Sequence, residues 1–170
     1  MHLPIDQKIE AAQRLADLMQ RVGFAIWQLQ ALEHGLASYL VIRVKGTKGM
    51  GDKLGNELLD HALKQTLGTT IKELKNAEVI EADLADSLTS ILLDRNWLVH
   101  KARSEYQGVA FNSNRSAKLL SRVEGITSRC ESLIHAISKE SRYFVVSQGV
   151  DQEQADKLAL QIARSWELPI

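Results

Sequence analysis

Between positions 95 and 103 the chain places Arg95, Asn96, His100 and Arg103, four side chains that suit the handling of a phosphate. Guanidinium groups match phosphate oxygens as planar forks. An imidazole titrating near neutral pH can take or give a proton. On a helix of about 3.6 residues per turn, Asn96, His100 and Arg103 share one arc of about 60°, adjoining Arg95. A half-buried helix histidine beside a solvated arginine makes the same pattern with no chemistry attached.

Arg95 stands out for a second reason. Leu84, Leu88, Ile91, Leu98 and Ala102 recur in alternating steps along one helix face, and the missing member of that row is Arg95. A guanidinium facing a core without a partner is costly. It must therefore snorkel to an edge, pair with a carboxylate, or line a cavity or subunit interface. Glu33 is the matching anomaly, a carboxylate in the row Met19, Ile26 and Leu40 of the first helical segment. A Glu33–Arg95 pair would resolve both, and fixing helix register is by itself sufficient reason for one.

The elements that position these residues are all helical in pattern. From Asp6 to about Arg43 the residues Leu15, Leu18, Val22, Ala25, Leu29, Leu32, Leu36 and Tyr39 recur three and four apart, which predicts one long amphipathic helix. Positions 44–56, with four glycines and three lysines, predict a flexible basic connector. Lys45, Lys48 and Lys53 are solvated there or brush a nucleic-acid backbone. Further helices are expected from Glu57 to about Asn76, with a break near Gly68, from Glu78 to about Lys101, and from Asn112 to about Gln148. A last one opens at Asp151 with Gln154 in a capping-box position and runs through Leu158, Ile162 and Trp166. The fold expected is all-α, an up-and-down bundle of four to five helices forming one domain over residues 1–170.

Composition bounds the function. With 170 residues, 45% of them hydrophobic, the chain suits one globular domain. Its 21 basic and 21 acidic residues cancel, so any polyanion must be bound locally. The charge is segregated: eight acids against three lysines from Glu57 to Asp94, then seven bases against two acids from Arg95 to Arg129. A single cysteine, Cys130, forms no internal disulfide and points to a reducing, cytoplasmic setting; it falls in an apolar row and reads as core. No membrane span, signal peptide, P-loop or Gly-x-Ser-x-Gly elbow is visible. His34, His61 and His135 lack metal-ligand spacing, so neither a metal nor another cofactor is expected. Trp97, on the side of its helix away from the apolar stripe, needs cover from another element.

The run Asp94-Arg95-Asn96-Trp97-Leu98-Val99-His100 resembles the Arg-x4-6-His motif of the HEPN (higher eukaryotes and prokaryotes nucleotide-binding) superfamily, in the form Arg-Asn-x-x-x-His. The resemblance covers six residues in motif and most of the chain in architecture. It implies a homodimer with the two motifs facing each other and, in many members, metal-independent cleavage of RNA. His100 would be the acid/base, Arg95 would stabilise transition-state charge, and Asn96 would orient His100 or a phosphate oxygen, with Glu33 and Arg103 in support. It further implies a toxin or phage-defence role and an antitoxin protein encoded alongside. In toxins silenced by nucleotidylation the motif continues His-x-Tyr; here Lys101-Ala102 follows His100, and the acceptor tyrosine is absent. The alternative is a non-catalytic helical module that binds a protein or a nucleotide.

Overall fold

The computed structural model describes residues 4–157. Among them there is no strand, and besides a helical stretch at 152–157 the α-helices are α1 (Ile5–Leu40), α2 (Gly51–Leu63), α3 (Leu67–Asn76), α4 (Ala82–His100), the four-residue α5 (Ala102–Glu105) and α6 (Ser113–Ser147). Asp151 caps helical residues 152–157 through Oδ2, which accepts from the Gln154 N–H at 3.1 Å. The expected continuation through Leu158, Ile162 and Trp166 lies outside the described residues.

The three long helices run up, down and up. Arg14 bonds the Ala110 carbonyl, Arg21 meets Glu124, and Arg43 lies over the Phe144 ring, so α1 and α6 ascend in parallel. On the descending α4, Asp94 meets Arg122 and Arg129, while Glu105, just beyond, receives Arg115. The core lies between them. Leu32, Leu36 and Leu40 of α1, Leu88 and Ile91 of α4, and Ile126 and Cys130 of α6 are wholly enclosed. Burial pushes the Cys130 thiol up to about 11, so it stays protonated at neutral pH and serves as a small apolar side chain.

Two sequence expectations need correction here. The break expected near Gly68 is present but lies earlier, and the first piece starts sooner than Glu57: α2, beginning at Gly51, is followed by α3, and the separator is Thr66, whose hydroxyl accepts from the Thr69 N–H at 3.2 Å. A β-region Thr at an N-cap satisfies an otherwise orphaned donor; Gly68 lies inside the first turn and packs on Leu92. The connector is also shorter than positions 44–56, and two of its three lysines, Lys45 and Lys48, are docked, while Lys53 is exposed on α2. α1 ends in a π turn, Val41–Lys45. Lys45 then pairs with Glu73 at 2.8 Å, and its hydrogen bond holds the Glu73 carboxyl below the ordinary carboxylate range against opposing burial. Lys48 donates to the Gln148 carbonyl at 3.0 Å, placing a cation at the C-terminus of α6 where the helix dipole favours one. Gly46 is required at this corner, since a Cβ there would lie 2.9 Å from the Val41 carbonyl oxygen.

The long α1 also departs from its expected packing. Leu15 is 43% exposed and Met19 64% exposed, although both belong to apolar rows. Val22 and Ile26 are only partly covered. Periodicity identified the face correctly, but α4 and α6 cover only part of it. A stripe from Leu15 to Ile26 is left open, ending near Glu33.

Candidate functional site

The residues of interest sit on the last two turns of α4 and the segment after it. Arg95 Nε donates to Glu33 Oε1 at 3.2 Å, tying α4 to α1. The two charges that interrupt their apolar rows therefore answer each other. They do so at the margin of the core, because the side chains keep 33% and 32% of their exposure. Arg95 does not point into the centre of the stripe. A terminal guanidinium nitrogen reaches Asn96 Oδ1 at 3.5 Å, the outer limit of a hydrogen bond.

An ion pair this exposed is screened by water and salt, and such pairs contribute at most about 1 kcal/mol. A double-mutant cycle of Glu33→Gln and Arg95→Gln, read by urea unfolding, should return a coupling within that bound. A coupling of several kcal/mol would mean the pair is desolvated in solution, contrary to this geometry.

Asp94, next in the chain to Arg95, turns the other way. It is largely buried, with its oxygens taken by Arg122, at 3.7 Å, and by Arg129. The cover that Trp97 needs comes from α6 and the turn after α4. The Arg122 guanidinium lies 3.4 Å from the centre of the indole ring, Tyr106 meets it edge-on, and its N–H donates to Glu105 at 2.7 Å. These contacts leave Trp97 7% exposed. Sequence reasoning missed the parts of Asp94, Glu105 and Arg122. The only available signal was the requirement that something cover Trp97.

His100 ends α4, and it and Arg103 are exposed; among the described residues neither has a hydrogen-bond or ion-pair partner. Both line a groove of about 740 Å³ whose walls are mostly apolar, with Leu15, Met19 and Val22 of α1 on one side and Tyr106 and Phe111 on the other. The segment carrying Arg103 is fixed by Arg115, which donates to the Glu105 carbonyl at 2.7 Å, and by Gly108, whose left-handed φ of 71° opens the 3-10 turn Val109–Phe111. Glu33, Arg95 and Asn96 thus form one hydrogen-bonded cluster. His100 and Arg103 form a second group further along the helix, and among the described residues no hydrogen bond joins His100 to Arg95.

Glu33 also borders a smaller cavity of about 250 Å³ between α1, α2 and α3, lined by Trp27, Gln30, His34 and Gln65 among others. The sequence reading missed it too. Its α1 residues, Trp27, Gln30 and His34, are spaced three and four apart, a polar and aromatic stripe beside the apolar one. Among the described residues, no group of three or more His, Cys, Asp or Glu could hold a metal ion, and no helix is long and apolar enough to cross a membrane.

The chain matches no family model, no curated protein and no solved structure. The fold and site define an all-α helical protein with an arginine–histidine helix end.

Proposed function

We propose that this protein is a metal-independent endoribonuclease of HEPN type whose site is completed by a second copy of the chain. One observation carries the reading. His100 and Arg103, without a hydrogen-bond or ion-pair partner among the described residues, line an open groove at the end of the helix on which Glu33 holds Arg95. A proton-transfer group and an uncommitted cation there suit a phosphodiester, and the fixed Arg95 supplies charge to a transition state. In this reading His100 takes the proton of the ribose 2′-hydroxyl as that oxygen attacks the adjacent phosphorus. The bond to the 5′-oxygen breaks, and His100 of a second copy protonates the leaving oxygen, giving a 2′,3′-cyclic phosphate and a 5′-hydroxyl. Among the described residues no second histidine lines the groove of His100, and the open apolar stripe of Leu15, Met19 and Ile26 gives a second copy a surface to bury.

Incubation of the purified protein with single-stranded RNA in EDTA, followed by end-group analysis, tests this directly. Cleavage leaving 2′,3′-cyclic phosphate ends is expected, together with a dimer in sedimentation at micromolar concentration. No cleavage would move the reading to its alternative, a non-catalytic module. The apolar walls of the large groove are what favour that alternative.

A further inference from the structure

Charge is sorted along this chain, and the fold turns the sorting into a surface. On α6, Arg115, Lys118, Arg122 and Arg129 are all exposed and, at about 100° per residue, fall within an arc of about 60°. Glu124 and Glu131 lie on the opposite side of the helix, where Glu124 meets Arg21 of α1. The basic flank faces α4, since Arg122 and Arg129 both reach Asp94 and Arg122 covers the Trp97 ring. At about 1.5 Å per residue the row is about 21 Å long. Lys101, two turns on from Asp94 and exposed, adds a cation where α4 ends.

Neutralisation within the chain is incomplete. These five cations meet two carboxylates, Asp94 and Glu105, so three positive charges have no counter-charge. The side chains of Lys101 and Lys118 have no hydrogen-bond or ion-pair partner among the described residues, and Arg115 donates to the Glu105 carbonyl rather than to its carboxylate. At the opposite end of α4 the sign reverses, with Asp83 and Asp86 in the first turns. The basic end is also the end that matters for chemistry: Leu119, next to Lys118, lines the groove that His100 and Arg103 line. A row of cations attracts polyanions in general, and its neighbours decide among them. Between Arg115 and Arg129 no large apolar side chain is exposed, so the flank lacks the apolar anchors found at the centre of a protein interface. Gly125 falls in the same row with open space over it, and a chain can lie along the flank from one arginine to the next.

We propose that this flank of α6, together with Lys101, is a track for the phosphate backbone of single-stranded RNA, running from Arg129 to the groove of His100. The choice of RNA rests on the ribonuclease reading; the choice of surface rests on the charges. Contacts to phosphates place a strand without reading its bases, so the track holds substrate and leaves base preference to other residues. It also explains how a chain of zero net charge gathers a polyanion on one face.

The test uses the intact protein and a fluorescent 2′-O-methyl oligouridine, which lacks the attacking hydroxyl and so is bound without being cut. Anisotropy titrations at several salt concentrations give the slope of log K against log salt. Three or four neutralised phosphates set that slope at about −2 to −3. Lys118→Gln removes a side chain that has no partner to lose; it should flatten the slope by about 0.7 and weaken binding about fivefold near about 0.1 M salt. Adding Arg129→Gln should double the change in slope. Lys72→Gln makes the same change of charge at an exposed position on α3, outside the row, and should keep the wild-type slope. Arg129 also holds Asp94, so Lys118→Gln alone decides if the double variant folds poorly. The proposal is overturned if the oligonucleotide does not bind, if Lys118→Gln binds like wild type, or if Lys72→Gln weakens binding as much. Binding is read apart from cleavage. RNA cutting by a protein whose strand affinity ignores Lys118 removes the track and spares the ribonuclease, whereas salt-dependent binding through Lys118 without cutting does the reverse.

Discussion

His100→Ala should lower RNA cleavage about 100- to 10,000-fold, the range for loss of one positioned acid or base, while leaving helix content and the unfolding midpoint unchanged. The structural half of that expectation follows from exposure, for His100 ends its helix with no hydrogen-bond or ion-pair partner among the described residues and its removal vacates no core space. Arg95→Ala should cost a comparable amount through lost charge stabilisation, but it also frees Glu33 from its only ion pair among the described residues. His100→Ala is therefore the cleaner variant, and steady-state cleavage of a labelled RNA with circular dichroism alongside is the measurement. Equal cutting by wild type and His100→Ala would assign the activity to a contaminant or to another site.

Trp97→Ala should destabilise the fold by about 3–5 kcal/mol, the range for emptying a buried tryptophan. Trp97 sits between Arg95 and His100 in the chain but faces α6, so its loss opens a cavity and strips Glu105 and Arg122 of the indole they share. Trp97→Phe keeps one aromatic ring but loses the N–H to the Glu105 carboxylate and the rest of the bicycle, and its cost should be smaller, about 1–3 kcal/mol. Urea unfolding of the three proteins decides the matter. A loss below 1 kcal/mol in the alanine variant would place Trp97 outside the packed interior and overturn the described α4–α6 contact.

The all-α fold was legible because its long helices carry sustained apolar periodicity and have few internal breakers. The Glu33–Arg95 pair was legible for a related reason: two charges interrupt apolar rows, and each needs the other. Trp97 announced its need for cover without saying from where. The exposure of Leu15 and Met19 was not legible, because a wheel tells which side chains share a face and not how far the neighbouring helices extend over it. The docking of Lys45 and Lys48 was hidden likewise, since their partners Glu73 and Gln148 are distant in the chain. Gln65 and Trp27 meet only through the fold of α2 and α3 against α1, so their cavity has no local signature.

Asp94 and Arg95 are chain neighbours that pull in different directions. The first is bound by two arginines of α6 and the second by a carboxylate of α1. One turn of α4 is thereby clamped on both flanks, and rotation of the helix about its own axis strains both sets of bonds at once. The helix end beyond the clamp holds His100 and Arg103, which no hydrogen bond or ion pair among the described residues restrains. The same helix thus joins a fixed mount to a free tip, and a partner that settles against the tip finds the arginine already aimed.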